Sequence, residues 1–155
     1  MGLFENGRQT NIRSTVAMIE DVLIELGYFL NDCRDEPTEA GLRSWSISKG
    51  SAHIRIRIVE RDDDVYLHVV SVVMTITPSV DELRLFRELL HMNQREIQSA
   101  AFALDGDRVL LLAERSTLDL DRSEVLDLVQ RVRIYADDYD DLLVNRFGGV
   151  LGTGN

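Results

Sequence analysis

The sequence has one cysteine, Cys33, and one lysine, Lys49, among its 155 residues. A single cysteine excludes an internal disulfide, and because no histidine-based partner can be named for it, the thiol is better read as an incidental loop or edge residue than as a nucleophile. Basic residues are outnumbered by acidic ones, 17 to 27, which leaves a formal net charge of −10. This shortage of positive charge disfavours nucleic-acid binding.

Long apolar runs are also missing. No run is long enough to span a bilayer, and residues 1–5 lack the basic-then-apolar pattern of a signal peptide. We therefore expect a cytoplasmic protein. A hydrophobic share of 45% and a charged share of 28% are typical of a globular fold, and 155 residues suit one domain. We expect a single domain over residues 1–155, with flexible ends at about 1–13 and 148–155.

Sequence motifs that are typical of catalytic or metal-binding sites are also absent. The sequence contains no G-x-S-x-G, P-loop or G-x-G-x-x-G motif. The three histidines, His53, His68 and His91, are scattered, so surface histidines are favoured over a metal site. The acidic run at 62–64 lacks the ligand spacing of an EF-hand, and the aspartates of 137–141 spread around a helix axis. We expect no catalytic residues, no metal and no cofactor; an enzyme is the minority interpretation.

The stretch 42–76 has the pattern of a β-sheet. Ile54, Ile56 and Ile58 alternate with polar residues, which is the period of a half-buried strand. A Lys-Gly turn and an acidic turn divide the stretch into three antiparallel strands. These turns predict the following opposite pairs: Ile58 with Leu67, Ile56 with Val69, Arg57 with His68, Arg55 with Val70, and Trp45 with Ile54.

Helices and a second hairpin complete the pattern. Helices are predicted over residues 14–26, 79–93 and 121–147, and two of them open with capping boxes, at Ser79 with Glu82 and at Asp121 with Glu124. An Asp-Gly turn after the second helix predicts a hairpin, with Val109 opposite Phe102 and Leu111 opposite Ala100. The predicted order is α-β-β-β-α-β-β-α, an α+β fold in which helices pack on one face of an antiparallel sheet.

The second predicted helix carries two apolar stripes, roughly 120° apart on the helical wheel. One consists of Leu83, Phe86 and Leu90, and the other of Leu85, Leu89 and Met92. Packing on a sheet uses only one stripe, so we assign the second, Leu85, Leu89 and Met92, to a homodimer interface. The alternative is that residues 28–30 or the last helix cover it.

The sheet face away from the isoleucines is predicted to bind a partner. On the predicted register this face carries Arg55, Arg57, Tyr66, His68, Val70 and Val72, joined by Leu110 and Leu112 if the second hairpin enters the same sheet. Apolar area would supply affinity, and the arginines would hold acidic or backbone groups of a peptide. The alternative is that residues 31–41 or a second subunit simply bury Val70, Val72 and Met74.

The chain resembles the YbjN family and the type III secretion chaperones over most of its length, from about residue 14 to residue 147. The resemblance rests on element order and on a local pattern: His91-Met92-Asn93, the run 102–111, Leu118, Leu120, and Asp121 opening the last helix. It implies a small acidic α+β sandwich, a homodimer and no catalytic residues.

Two classes of function follow from this resemblance and from the residues. Secretion chaperones bind extended segments of client proteins, whereas YbjN-like proteins resemble regulators or adaptors. We therefore expect a non-enzymatic protein-binding module, chaperone-like or regulatory, that acts as a homodimer on a protein partner or client. A small-molecule-binding domain or an enzyme that uses the sheet face as a pocket is the alternative.

Overall fold

The structure is a computed structural model that describes residues 3–37 and 43–152. Within these residues one antiparallel sheet and four helices form the fold. The elements in chain order are α1 (Leu3–Glu25), α2 (Leu30–Cys33), β1 (Ser44–Lys49), β2 (Ala52–Arg61), β3 (Asp64–Thr75), α3 (Glu82–Arg95), β4 (Ala101–Asp105), β5 (Arg108–Ser116), α4 (Arg122–Phe147) and β6 (Val150–Leu151).

The sheet has the strand order β1-β2-β3-β5-β4, and the short β6 pairs with β3 off this path. Every pairing is antiparallel. The predicted α+β class and the order of its eight elements are confirmed. Two short elements, α2 and β6, are added to that order. Among the described residues, no helix combines the length and apolar character needed to cross a bilayer.

The predicted register of the central hairpin is confirmed. Ile58 lies opposite Leu67, and Arg57 lies opposite His68, as the acidic turn between β2 and β3 indicated. All the isoleucines of β2 consequently point into the core, where they are at most 2% exposed. The core face and the outer face of the central strands therefore follow from the sequence pattern.

The predicted registers of the two glycine hairpins are wrong by two residues. Trp45 lies opposite Ile56 rather than Ile54, and Phe102 lies opposite Leu111 rather than Val109. Each glycine takes the first central position of its turn, with φ of +56° at Gly50 and +61° at Gly106, which glycine adopts without strain. A shift of two residues keeps every side chain on its predicted face.

The hydrophobic core lies between one face of the sheet and the helices α4 and α1. Helix α4 runs across β3, β2 and β5, and α1 lies against α4. The buried apolar residues of α4 lie on one face of the helix, as expected for an amphipathic helix: Val125, Leu128, Val129, Val132, Ala136 and Leu143. The opposite face of the sheet carries none of these long helices.

Helix α1 begins at Leu3, so the prediction of a loose arm over residues 1–13 is wrong from that residue onward. The first turns are held by polar contacts. Asn11 Nδ2 donates to the backbone oxygen of Thr117 over 2.8 Å, and Arg8 forms a salt bridge with Glu60 at 3.0 Å. A helix tethered by polar side chains has no apolar period, and the sequence pattern therefore misses it.

The chain after α4 also differs from the prediction. Gly148, with φ of +84°, ends α4 as expected. The following residues, however, form β6 instead of a flexible tail, and pair with Met74 and Thr75 of β3. They occupy the edge of β3 that extends beyond its pairing with β2. Residues 153–155 lie outside the described part of the chain.

Helix α3 begins one residue after Asp81, whose carboxylate accepts from the Arg84 N–H over 3.1 Å. The predicted cap, Ser79, instead exchanges a hydrogen bond with the Thr77 hydroxyl. Both residue types make good helix caps. The turn that closes from Val80 N–H to the Thr77 oxygen precedes the helix and leaves Asp81 at its start.

The predicted dimer stripe of α3 faces the chain's own core. Leu85, Leu89 and Met92 are 0%, 4% and 3% exposed, whereas Leu83 and Leu90 are 67% and 68% exposed. Assigning the first set to an uncovered surface was therefore wrong.

Contacts with neighbouring elements fix how α3 is turned about its axis. Asn93 bonds both backbone groups of Phe102 on β4. Glu88 pairs with Arg146 of α4 at 2.7 Å, and Tyr139 of α4 donates to Glu96 over 2.8 Å. These contacts direct one stripe of the helix inward and leave the other in solvent.

Candidate binding groove on the outer sheet face

A groove of about 610 Å³ lies on the sheet face opposite α4. Its floor consists of outward side chains from four strands: Ser46, Ser48, His53, Arg55, Arg57, Val70, Val72 and Leu110. Strand pairing sets these residues in rows across the sheet: Ser46, Arg55 and Val70 share one row. Two residues along the strands, Ser48 pairs with His53 and Val72 pairs with Leu110. The floor is polar towards β1 and aliphatic towards β5.

The wall of the groove is the segment around α2. Tyr28 donates its hydroxyl to the backbone oxygen of Ser48 over 2.9 Å, and Arg34 holds Glu20 through two bonds of 2.8 Å. The Arg34 guanidinium lowers the pKa of the Glu20 carboxyl. Between these two anchors Phe29 is 78% exposed at the groove's edge. The wall is therefore fixed to the fold while it presents a free aromatic ring.

The opposite end of the groove lies at the β4–β5 hairpin. Asp105 and Arg108, which face each other across the turn, both line it and form a salt bridge with each other. Asp32 lines the groove from the α2 side. Charged residues of both signs thus surround a floor whose central cations are Arg55 and Arg57.

The structure brings together four of the six residues predicted to bind a partner. Arg55, Arg57, Val70 and Val72 all line the groove; Leu110 joins them because the second hairpin belongs to the same sheet, whereas Leu112, on the same face, does not line it.

The other two predicted residues lie towards the far end of β3. His68 is 8% exposed and contacts Arg57. Tyr66 lies beneath the guanidinium of Arg61, 5.8 Å from the ring centre. Met74, expected beside Val72, is buried, because a bulge between these residues turns it into the core.

Several groove residues were missed by the sequence analysis. Ser46, Ser48 and His53 share the face of the predicted residues, and extending the period-two pattern to β1 would have found them. Phe29 carries no comparable signal. It reaches the groove only because tertiary contacts hold the α2 segment against β1.

The groove contains no arrangement typical of a reaction centre. Across residues 3–37 and 43–152, no group of three or more His, Cys, Asp or Glu side chains is placed to hold a metal ion. The thiol of Cys33 is buried at the groove wall, and burial raises its pKa, which disfavours the reactive thiolate. The geometry is suited to binding.

Two solved structures resemble this chain, and the first of them shares its fold. The crystal structure of the ExsC–ExsE complex has a TM-score of 0.58 and 15% identity, over 84% of this chain and 94% of that chain. The Yersinia pestis type III secretion chaperone SycH, solved with a stable fragment of YscM2, has a TM-score of 0.49 and 19% identity, over 77% of this chain and 94% of that chain.

The sequence comparisons identify the family. No curated protein matches the chain. A family model described as T3SS (YopN, CesT) and YbjN peptide-binding chaperone 1 matches residues 15–153, which include every residue named above in the groove. The chain belongs to this family of peptide-binding chaperones.

Proposed function

We propose that the protein is a chaperone that holds an extended segment of a client protein in the groove on the outer sheet face. The observation that carries this proposal is the pairing of an aliphatic floor with an exposed aromatic wall. Val70, Val72 and Leu110 are only half-buried, and Phe29 is exposed beside them. Aliphatic floors and exposed aromatic rings are the surfaces that supply binding energy in peptide recognition.

The shape of the groove also suits an extended segment. Its floor is a pleated surface on which outward side chains recur at alternate positions of each strand. Its wall is tied to the sheet through Tyr28 and to α1 through Arg34. A wall that is already ordered in the free protein lowers the entropy cost of binding. The family's description as peptide-binding chaperones supports the same assignment.

The proposal can be tested with peptides selected from a random phage-displayed dodecamer library on the folded protein. Binding is measured by fluorescence anisotropy of the labelled peptides. Val72→Asp places a charge on the aliphatic floor and should weaken binding by at least about tenfold. Leu118→Asp is the matched control, because Leu118 is exposed at a site away from the groove. Equal binding by both folded variants would contradict the proposal.

The exposed stripe of α3 supports a homodimer. Leu83 and Leu90 lie on one side of the helix beside the half-buried Phe86, and two leucines so exposed close together are costly in water. A two-fold axis across the helix would pair this stripe with its own copy. We therefore place the dimer contact on the opposite stripe of α3 from the one that the sequence indicated.

Sedimentation velocity tests this contact. Leu90→Asp should convert a dimer to a monomer without unfolding it, since the position lies in solvent in the single chain. Leu104→Asp, on an exposed leucine of β4, controls for the added charge. A wild-type protein that sediments as a monomer, or a Leu90→Asp variant that remains dimeric, would remove α3 as the contact.

A further inference from the structure

Arg55 and Arg57 form a pair of cations on the groove floor. They stand two residues apart on β2, so their side chains leave the same face about 6.6 Å apart. Both are half-buried, and within the described residues neither forms a salt bridge. Arg61 on the same strand, by contrast, forms a salt bridge with Glu114 at 2.7 Å. In a chain of net charge −10, no carboxylate within residues 3–37 and 43–152 forms a salt bridge with this pair.

The nearest neighbours of the pair are neutral. Ser46 and Val70 flank Arg55 across the sheet, and Ser44 and His68 flank Arg57. The hydroxyls of Ser44 and Ser46 donate to Asp35 Oδ2, over 2.7 and 3.2 Å, and Asp35 forms no salt bridge with either arginine. No strand neighbour therefore offers either guanidinium a carboxylate.

Arg57 retains unmet donor capacity. Its Nη2 lies 3.1 Å from His68 Nδ1, while its Nε is buried and has no hydrogen-bond partner among the described residues. Burial, and next the positive charges of Arg55 and Arg61, lower the pKa of Arg57. A half-buried guanidinium surrounded by cations is unfavourable by itself and is relieved by an anion that accepts its hydrogen bonds.

From this pair we infer that the groove selects client segments that carry an acidic side chain, whose carboxylate binds Arg55 and Arg57. The inference rests on the proposed peptide-binding function and names the ligand chemistry of the same site. Guanidinium groups bind carboxylates through parallel hydrogen bonds, which a backbone carbonyl with one oxygen cannot accept in the same way.

The rows of the sheet add a spacing rule. Along β3, the row of Arg55 and Val70 is followed two residues later by the pair Val72 and Leu110. An extended segment also repeats every two residues, at about 6.6 Å. An acidic residue above the arginines therefore places the residue two positions away above the aliphatic floor. The preferred segment therefore carries an acidic and an aliphatic residue two positions apart.

Three fluorescein-labelled dodecamer peptides test the inference. They share alternating valines and differ at one central inward position, which is Glu, Gln or Lys. We expect the Glu peptide to bind about tenfold more tightly than the Gln peptide at low salt, because it gains charge-assisted hydrogen bonds. The Lys peptide should bind more weakly than the Gln peptide. The advantage of Glu should shrink as salt is raised.

Variants locate the effect. Arg55→Gln combined with Arg57→Gln should abolish the difference in affinity between the Glu and Gln peptides when both are measured on that variant. Arg13→Gln combined with Arg95→Gln removes the same charge from exposed sites on α1 and α3 and should preserve the preference. If loss of the half-buried Arg57 disturbs folding, the single Arg55→Gln variant replaces the double variant. It should lower the preference for the Glu peptide over the Gln peptide.

Each remaining outcome overturns a defined part of the argument. Equal affinity for the Glu and Gln peptides, with both lost in Val72→Asp, would remove acid selection and leave the groove assignment intact. If Arg13→Gln combined with Arg95→Gln reduced the preference for the Glu peptide as much as the groove variant does, the preference would come from net charge. That result would overturn the inference. Binding of all three peptides that is insensitive to Val72→Asp, or no binding at all, would overturn the proposed function together with the inference.

Discussion

Arg57 on β2 lies directly opposite His68 on β3, and its Nη2 is 3.1 Å from the imidazole Nδ1. Burial of the imidazole, and next the charge of Arg57, lower the pKa of His68. Because a guanidinium only donates hydrogen bonds, this contact needs the neutral ring, whose Nδ1 accepts. This hydrogen bond fixes the orientation of the Arg57 side chain, which also lines the groove.

The lowered pKa of His68 predicts a loss of stability in mild acid. The unfolded chain, in which this histidine has its ordinary pKa of 6.5, binds more protons than the folded chain once the pH falls below that value. The free energy of unfolding therefore decreases as the pH drops. Between about pH 7.5 and 5.5, the urea midpoint of wild type should fall further than that of His68→Gln. His53→Gln, at an exposed histidine, should behave as wild type; identical curves for all three would contradict this role of His68.

Adjacent leucines on α3 should respond oppositely to truncation. Leu89→Ala removes a buried side chain and should lower the free energy of unfolding by about 2–5 kcal/mol. Leu90→Ala, on the exposed stripe, should change it by less than about 0.5 kcal/mol. Urea denaturation at low protein concentration measures both without a contribution from association. If Leu90→Ala were the more destabilising of the two variants, the face of α3 that carries Leu90 would be the one that packs on the core.

The start of α3 offers a second matched pair. Asp81→Ala removes the side chain that caps the Arg84 N–H and should destabilise the protein by about 1 kcal/mol. Ser79→Ala, at an exposed residue outside the helix, should have an effect below about 0.5 kcal/mol. Chemical denaturation compares them, and a larger effect at Ser79 would make that residue the cap.

The tail strand β6 depends on a glycine at position 152. A Cβ at Gly152 would lie 1.8 Å from the backbone oxygen of Val72, so Gly152→Ala should detach β6 from β3. Hydrogen exchange in residues 149–152 should then accelerate, while global stability changes by less than about 1 kcal/mol, because β6 is short and exposed. Gly7→Ala is the control, since nothing lies within 4 Å of a Cβ at that helical position. Unchanged exchange in Gly152→Ala would mean that β3 tolerates the added methyl.

The alternation of side chains along the strands predicted only part of the outer sheet face. Arg55 and Val70 were predicted to share a row, and the structure places them in one. The same reasoning could not indicate that His68 is buried or that a bulge turns Met74 into the core. Burial and bulges depend on what packs against a strand, and the alternation of residues along it does not contain that information.

By itself the sequence determined the class of the fold, the order of its main elements and the faces of β2 and of β3 as far as Val72, because these follow from local periods and turn residues. It also indicated the family. The tertiary structure alone decided which stripe of α3 faces inward, since contacts with Phe102, Arg146 and Tyr139 set the rotation of that helix. It likewise decided that the α2 segment forms a wall and so turns an exposed sheet face into a groove. Both outcomes depend on contacts between residues far apart in the chain, which local patterns do not encode.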